Sequence, residues 1–141
     1  IDDVDKFVAD NKMGPDALGV SYDLLKECLK GRKGPIKSTL MNQKVISGIG
    51  NVYADEILFQ AGIHPGRNVP DLKEEELRRV HKMMQRVLKK TIQFGAEPER
   101  APRHFLLRHR EVGNKCPGGK GKIQQIKISG RNGYYCPECQ T

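Results

Sequence analysis

The sequence lacks tryptophan and contains only four Phe and four Tyr in 141 residues. It also lacks any run of 18 apolar residues, so nothing in it predicts a membrane-spanning helix. It has no basic-then-apolar start of the kind that marks a secretory signal. We therefore expect a cytoplasmic protein (nucleoid-associated in a bacterium or archaeon) or a nuclear one, not a secreted one. A composition of 37% hydrophobic and 30% charged residues is that of a globular protein and excludes intrinsic disorder.

Acidic residues are missing from a long basic stretch of the chain. Residues 28–54 hold five Lys or Arg and no Asp or Glu, and residues 100–141 hold nine basic residues against two acidic ones, a net charge of +7. Residues 1–20 have the opposite balance, five Asp against two Lys, within a chain of net charge +8. Two basic zones favour a polyanionic partner, although solvated faces account for a charge run equally well.

Capping residues and apolar spacing predict four helices. Ser21 and Asn51 are residues that cap helix N termini, and Gly31 and Gly62 are typical of C termini. Asp71 and Glu74 together resemble a capping box, which would open the longest helix. We expect the helices to cover about 21–31, 35–41, 51–62 and 71–94, with the buried face of the first formed by Leu24, Leu25, Cys28 and Leu29.

Glycines and short β-branched segments replace the helical pattern after Phe94. Six of the 22 residues that begin at Val112 are glycine. Isoleucines at 123, 126 and 128 and tyrosines at 134 and 135 predict two short strands around a turn at 129–133. Because an isolated hairpin is marginally stable in water, something else must hold it together.

Three of the four cysteines lie in or beside this hairpin, at spacings typical of a metal site. Cys136 and Cys139 form a C-x-x-C knuckle, and Cys116 begins what should be its partner. The fourth thiolate of a zinc ribbon would fall at position 119, which is Gly119. Zinc bound by three thiolates and either a shifted ligand such as His109 or a water is one interpretation, and a metal-free hairpin is the other. A thioredoxin-like redox pair lacks its βαβ context.

Four segments carry a resemblance to a known family. Segments 36–43, 48–56, 61–65 and 129–140 resemble the C-terminal half of the formamidopyrimidine-DNA glycosylase/endonuclease VIII family, and the resemblance begins near Met13. It implies a mainly α fold, a helix-two-turns-helix bundle followed by a small zinc-ribbon-like β-hairpin. The implied divisions are the tail of a missing N-terminal domain over 1–20, a DNA-binding helical domain over 21–95, a connection over 96–111 and a zinc-finger-like hairpin over 112–141.

The resemblance implies the DNA-binding part of a base-excision repair glycosylase/AP lyase that acts on oxidised bases. The residues that match the family's phosphate contacts are Lys37, Gly50, Asn51 and Arg131. A helix N terminus at Gly50 and Asn51 offers free N–H groups to a phosphate, and the planar guanidinium of Arg131 suits bidentate contact. Zinc on the three cysteines is the implied cofactor, and duplex DNA containing damaged bases is the implied partner.

The family's nucleophile is an N-terminal proline amine followed by glutamate, whereas this chain begins Ile-Asp-Asp. We therefore expect this chain to be inactive by itself, with the catalytic domain elsewhere in the same protein. A monomer is the default expectation for its oligomeric state. Two other interpretations stay open. One is a catalytically inactive nucleic-acid-binding paralogue, and the other is an RNA- or ribosome-associated protein with the same helical motif.

Overall fold

The structure is a computed structural model that describes residues 14–95 and 97–141, apart from the side chain of Pro98. The acidic segment predicted over residues 1–20 therefore lies mostly outside the described residues. Three short 3-10 turns cover Val69–Asp71, Pro98–Arg100 and Leu106–His109. The main elements are α1 (Tyr22–Leu29), α2 (Ile36–Met41), α3 (Asn51–Ala61), α4 (Glu74–Phe94), β1 (Gln124–Ile128) and β2 (Arg131–Tyr135).

This architecture confirms the predicted class, a mainly helical body followed by a small antiparallel hairpin. Within the described ranges, no helix combines the length and the apolar character needed to cross a bilayer.

Helix α3 occupies the centre of the fold. It contacts α2, α4, the Leu106–His109 turn and β2. Two acidic residues of this helix, Asp55 and Glu56, are buried together with its apolar residues, which are Ala54, Ile57, Leu58, Phe59 and Ala61. A helix that is buried on nearly every side needs a partner for each polar group it carries. The buried acidic residues of α3 therefore determine much of what surrounds it.

Helix α1 begins as predicted, because the Ser21 hydroxyl accepts a hydrogen bond from the Leu24 N–H at 3.1 Å. The inward position predicted for Leu24 is wrong, since this residue is 46% exposed. The helix has only eight residues and buries Leu25 and Leu29, which are one turn apart on the face toward the core. Cys28 packs against that core and is half-buried.

The predicted starts of α3 and α4 are each displaced. Gly50 is the N-cap residue of α3, and Asn51 is its first helical residue. Asp71 belongs to a separate 3-10 turn, so the predicted capping box of Asp71 and Glu74 is wrong. Lys73 is the N-cap of α4, and its N–H donates to the Glu76 carboxylate at 2.9 Å.

The hairpin turn is tighter than the predicted 129–133 segment. Ile128 pairs with Arg131, so the loop consists of Ser129 and Gly130 alone. Both have positive φ, 52° and 79°, as a two-residue type I′ turn requires. Because β2 begins at Arg131, this residue is held by the strand ladder and does not lie at the tip of the turn.

The hairpin does not stand alone. A small second core joins it to α3 and to the connection that precedes it. Its buried members are Phe59, Leu106, Cys116, Ile123 and Cys136. Packing against the helical body therefore supplies part of the stability that an isolated hairpin lacks.

A bidentate ion pair fixes the entry to α4. The Arg67 guanidinium donates to both carboxylate oxygens of Glu76, at 3.0 and 3.1 Å. The Arg67 hydrogen bonds, followed by the Lys73 backbone N–H, hold the pKa of Glu76 below its ordinary value. A carboxyl whose pKa is lowered by folding stabilises the fold above its unfolded pKa, and that stabilisation is lost as the pH falls through the folded value.

We predict that Glu76→Gln lowers the free energy of unfolding by about 1 to 2 kcal/mol at about pH 7, because it removes a charged partner and weakens a helix cap. The difference from wild type should shrink as the pH falls below the ordinary glutamate pKa of about 4.3, since the stabilisation is lost between that value and the lower pKa of the folded protein. Urea unfolding, followed by the circular dichroism of the helices, measures the free energy of unfolding of both proteins at each pH. The exposed Glu75→Gln serves as the control. An equal difference at both pH values would contradict the assignment.

Candidate nucleic-acid interface

The N terminus of α3 opens onto the surface. Gly50 is exposed and has no side chain, and no side chain caps this end of the helix. The first N–H groups of a helix lack intrahelical acceptors, and the helix dipole places partial positive charge beside them. This end of α3 can therefore bind an anion.

The Asn51 side chain links this helix end to the hairpin. Its Nδ2 donates to the carbonyl oxygen of Asn132 at 2.9 Å. Asn132 directly follows Arg131, whose side chain is exposed. The hydrogen bond therefore brings the backbone of the residue after Arg131 to the N terminus of α3. We call Gly50, Asn51 and Arg131 the α3–hairpin surface.

A cavity of about 140 Å³ lies between α2 and the hairpin turn. A hydrogen bond of 2.7 Å between the hydroxyls of Ser38 and Ser129 joins the two walls. The cavity brings two of the predicted site residues together. Its lining residues are Lys37, Ser38, Met41, Asn42, Ile128, Ser129 and Arg131.

Lys37 lies beneath this surface. Its side chain is only 1% exposed, and its Nζ lies 2.8 Å from Oδ1 of Asp55, whose side chain is fully buried. The predicted cation is therefore close to Arg131, but it is already paired with a carboxylate. Its direct contact with a phosphate stays a prediction.

Asp55 has two further partners. Its Oδ2 accepts a hydrogen bond from the Arg110 guanidinium at 2.9 Å and one from the Tyr134 N–H at 3.1 Å. We call Lys37, Asp55 and Arg110 the buried ion cluster. Neither Asp55 nor Arg110 is among the site residues predicted from the sequence. One signal was available, because Asp55 and Glu56 are the only acidic residues between Cys28 and Pro70.

Glu56 holds the connection that leads to the hairpin. Its carboxylate accepts the N–H groups of Leu106 and Leu107 at 2.9 and 2.7 Å, and Gln60 donates to it at 3.0 Å. Burial raises the pKa of Glu56, although these hydrogen bonds act in the opposite direction. The carboxylate thus ties the 3-10 turn before Arg110 to α3.

A second basic cavity adjoins the first. It has a volume of about 420 Å³, lies at the turn between α1 and α2, and includes the exposed side chains of Arg32 and Lys33. Ser38 and Asn42 line both cavities, so the two openings are neighbours. The positive charge of Arg32 and Lys33 therefore lies beside the cavity that Arg131 lines, where a polyanion would meet both.

The three hairpin cysteines converge. The Sγ atoms of Cys116, Cys136 and Cys139 all lie within 4.8 Å of one another, and those of Cys116 and Cys139 are 3.4 Å apart. Thiolates bound to one tetrahedral zinc ion lie about 3.8 Å apart, given zinc–sulfur bonds of about 2.3 Å. The three cysteines could therefore hold a metal ion.

The protonation of these thiols differs from one to the next. Burial, with the Cys116 and Cys136 thiols adding to it, raises the pKa of Cys139 to about 12. Burial also raises the pKa of Cys116. At Cys136 burial acts in the same direction, but hydrogen bonds from Cys116 and Cys139 outweigh it and lower the pKa. A bound metal would displace the remaining protons, since metal ligands are thiolates.

The surroundings of the sulfurs fit a metal ion with three protein ligands. A Cβ at Gly118 would lie 3.1 Å from Cys139 Sγ and 3.4 Å from Cys116 Sγ, so glycine leaves room beside the sulfurs. His109 is not a member of this cluster, and its Nε2 bonds the Arg103 carbonyl. The fourth ligand is expected at position 119, which is glycine. Among the described residues, no other side chain joins the three cysteines as a ligand.

Comparison with known proteins identifies the family to which this chain is similar. The family model "Formamidopyrimidine-DNA glycosylase H2TH domain" matches residues 13–101. A formamidopyrimidine-DNA glycosylase of Desulforamulus reducens is 36% identical over 141 residues, covering 92% of this chain and 51% of the relative. An uncharacterized formamidopyrimidine-DNA glycosylase-like protein of Mycobacterium tuberculosis is 37% identical over 134 residues, covering 92% of this chain and 85% of the relative. The chain thus spans about half the length of the named glycosylase.

Solved structures agree with the sequence comparison. The Lactococcus lactis Fpg in complex with DNA containing an abasic site superposes with a TM-score of 0.82 and 29% identity, covering 99% of this chain and 55% of that one. MutM in complex with DNA containing carbocyclic 8-oxo-G gives a TM-score of 0.84 and 29% identity, covering 99% and 54%. The resemblance identified in the sequence is confirmed, and the chain belongs to the formamidopyrimidine-DNA glycosylase family, whose H2TH domain it carries.

Proposed function

We propose that this chain is the DNA-binding part of a base-excision repair glycosylase/AP lyase that acts on oxidised bases. One observation carries the proposal. The hydrogen bond from Asn51 to the Asn132 carbonyl brings the open N terminus of α3 against the residue that follows Arg131. A phosphate on the α3–hairpin surface would accept N–H bonds at Gly50 and Asn51 and a bidentate pair from Arg131. Lys37 contributes positive charge from beneath.

Relatives and neighbouring structures support a role on damaged DNA. Two of the matched structures hold DNA with an abasic site or carbocyclic 8-oxo-G. In the proposal, residues 1–141 hold the duplex, and a catalytic domain elsewhere in the same protein removes the base and cleaves the strand. The chain alone should therefore bind such DNA as a monomer without cutting it.

A catalytically silent nucleic-acid-binding protein is the second candidate. The Mycobacterium tuberculosis relative favours this candidate. This chain covers 85% of that protein, so little of its length is left for a separate catalytic domain. The glycine at position 119 favours it too, since the hairpin has lost one expected metal ligand. The residues encoded upstream of Ile1 distinguish the candidates. A Pro-Glu start after removal of Met supports the enzyme, and its absence supports the silent binder.

We predict that the affinity for duplex DNA depends steeply on salt. The logarithm of the association constant should fall by about 0.9 per neutralised phosphate for each tenfold rise in salt. Filter binding over a range of sodium chloride concentrations measures the slope. An association constant that does not change with salt would exclude binding through phosphates. Competition with duplex RNA in the same assay tests the RNA-binding alternative, which requires RNA to displace the DNA.

Arg131→Ala should weaken DNA binding by about tenfold or more, because it removes a charge-assisted contact. The helices should be unaffected, since the side chain is exposed. Fluorescence anisotropy gives the affinity, and circular dichroism gives the helical content. Lys89→Ala is the matched control, because it removes one positive charge from an exposed position on α4. Equal losses in the two variants would exclude a specific role for Arg131.

We also propose that Cys116, Cys136 and Cys139 hold one zinc ion, with a water molecule as the fourth ligand. The convergence of the three sulfurs supports this proposal. Zinc would join the loop that contains Cys116 to the knuckle after β2, which the small core already packs together. The zinc would be structural, since it would connect segments of a hairpin too small to fold alone.

Metal analysis of the chain, purified under reducing conditions, should find about one zinc per molecule. Cys136→Ser should reduce the bound zinc and lower the thermal stability of the hairpin, because a structural ion contributes its binding free energy to folding. Cys28→Ser is the control, since Cys28 lies outside the cluster. A chain that contains no zinc and is not stabilised by added zinc would contradict the zinc proposal and support a metal-free hairpin.

A further inference from the structure

Asp55 lies directly under the hairpin and is paired on both sides. Oδ1 faces the Lys37 ammonium at 2.8 Å, and Oδ2 faces the Arg110 guanidinium at 2.9 Å. The Arg110 side chain is only 19% exposed. A carboxylate removed from water needs partners on each oxygen. Asp55 obtains these partners from α2 and from the segment that precedes the hairpin.

The same carboxylate binds the backbone of β2. Oδ2 accepts the Tyr134 N–H at 3.1 Å, and the Arg110 guanidinium carbon lies 4.8 Å from the centre of the Tyr134 ring. Two residues earlier, the Asn132 carbonyl accepts the Asn51 amide. Helix α3 thus holds β2 at two points, immediately after Arg131. Because Arg131 is also paired with Ile128 of β1, the strand ladder and these two points together fix its backbone.

Gly133 lies between these two points and touches the ion pair. A Cβ at this position would overlap Lys37 Nζ and lie 2.9 Å from Asp55 Oδ1. The strand can therefore approach the buried ion cluster this closely only because residue 133 has no side chain. The contact is steric and does not depend on an unusual backbone angle.

We propose that Asp55 is a positioning residue for DNA binding. It does not touch the phosphate. It binds β2 from below and thereby sets the distance between the Arg131 guanidinium and the N terminus of α3. Lys37 and Arg110 hold the Asp55 carboxylate in place from either side. This inference rests on the proposed function, in which Arg131 contacts a phosphate.

The main test uses Asp55→Asn in the 141-residue chain, with a duplex oligonucleotide that carries a tetrahydrofuran abasic-site analogue. The substitution raises the net charge by one, and added positive charge alone strengthens binding to phosphates. Loss of positioning acts in the opposite direction. We expect the affinity to fall by at least about threefold, because the weakened hydrogen bond to the Tyr134 N–H outweighs the effect of the added positive charge. Glu75→Gln makes the same charge change at an exposed position and should bind as tightly as wild type or more tightly.

Two readouts separate positioning from a general loss of stability. Amide hydrogen exchange should accelerate at Tyr134, whose N–H loses its charged acceptor, while the α4 amides stay protected. In the Arg131→Ala background, Asp55→Asn should cause no further loss of affinity, because the two residues act through one contact. An additive loss in the double variant, or an Asp55→Asn affinity equal to that of Glu75→Gln, would overturn the proposal.

Gly133→Ala tests the positioning of β2 independently, and it does so even if Asp55→Asn does not fold. It leaves every charge in place and displaces β2 from the cluster, so the affinity should fall while the helical content is retained. Wild-type affinity in this variant would overturn the inference. If wild type shows no salt-dependent binding, or Arg131→Ala has no effect, the proposed function fails and the inference fails with it. If both behave as expected and the Asp55 and Gly133 variants bind normally, the inference alone fails.

Discussion

A buried carboxylate between two cations holds the two parts of this molecule together. Asp55 lies in α3, while its partners Lys37 and Arg110 come from α2 and from the segment before the hairpin. In a buried ion pair, loss of one partner costs about 3 to 5 kcal/mol, because the remaining charge stays buried and uncompensated. Asp55 has a cation on each oxygen. The hairpin can therefore leave the helical body only if that charge is exposed or neutralised.

The same arrangement explains why the surface above the cluster is suited to anions. Two cations on one carboxylate leave a net positive charge under the hairpin, close to the open end of α3. Exposed cations at the α1–α2 turn extend the positive surface on one side. A phosphate chain crossing this region would meet backbone N–H groups, a guanidinium and a favourable field together.

The sequence predicted the four helices and the hairpin well, because their signals are local. Ser21 caps α1 as expected, and the glycine after α3 ends that helix. The Asp71 cap was wrong, because the preceding segment forms its own 3-10 turn. Asp55 was missed for a different reason. An acidic residue on a helix is ordinarily solvated, and nothing local indicates that a strand 79 residues later supplies an N–H to it.

The sequence by itself determined the residue types of the site, namely a glycine-asparagine helix start, an arginine in the segment of the hairpin turn and three cysteines at metal spacing. Chain-local rules suffice for these, since capping, turn geometry and ligand spacing act over a few residues. Only the tertiary structure decided that Lys37 is buried against Asp55 and that Gly133 lies against this pair. Burial and charge pairing depend on segments far apart in the chain, and their energies exist only once those segments have excluded water from between them.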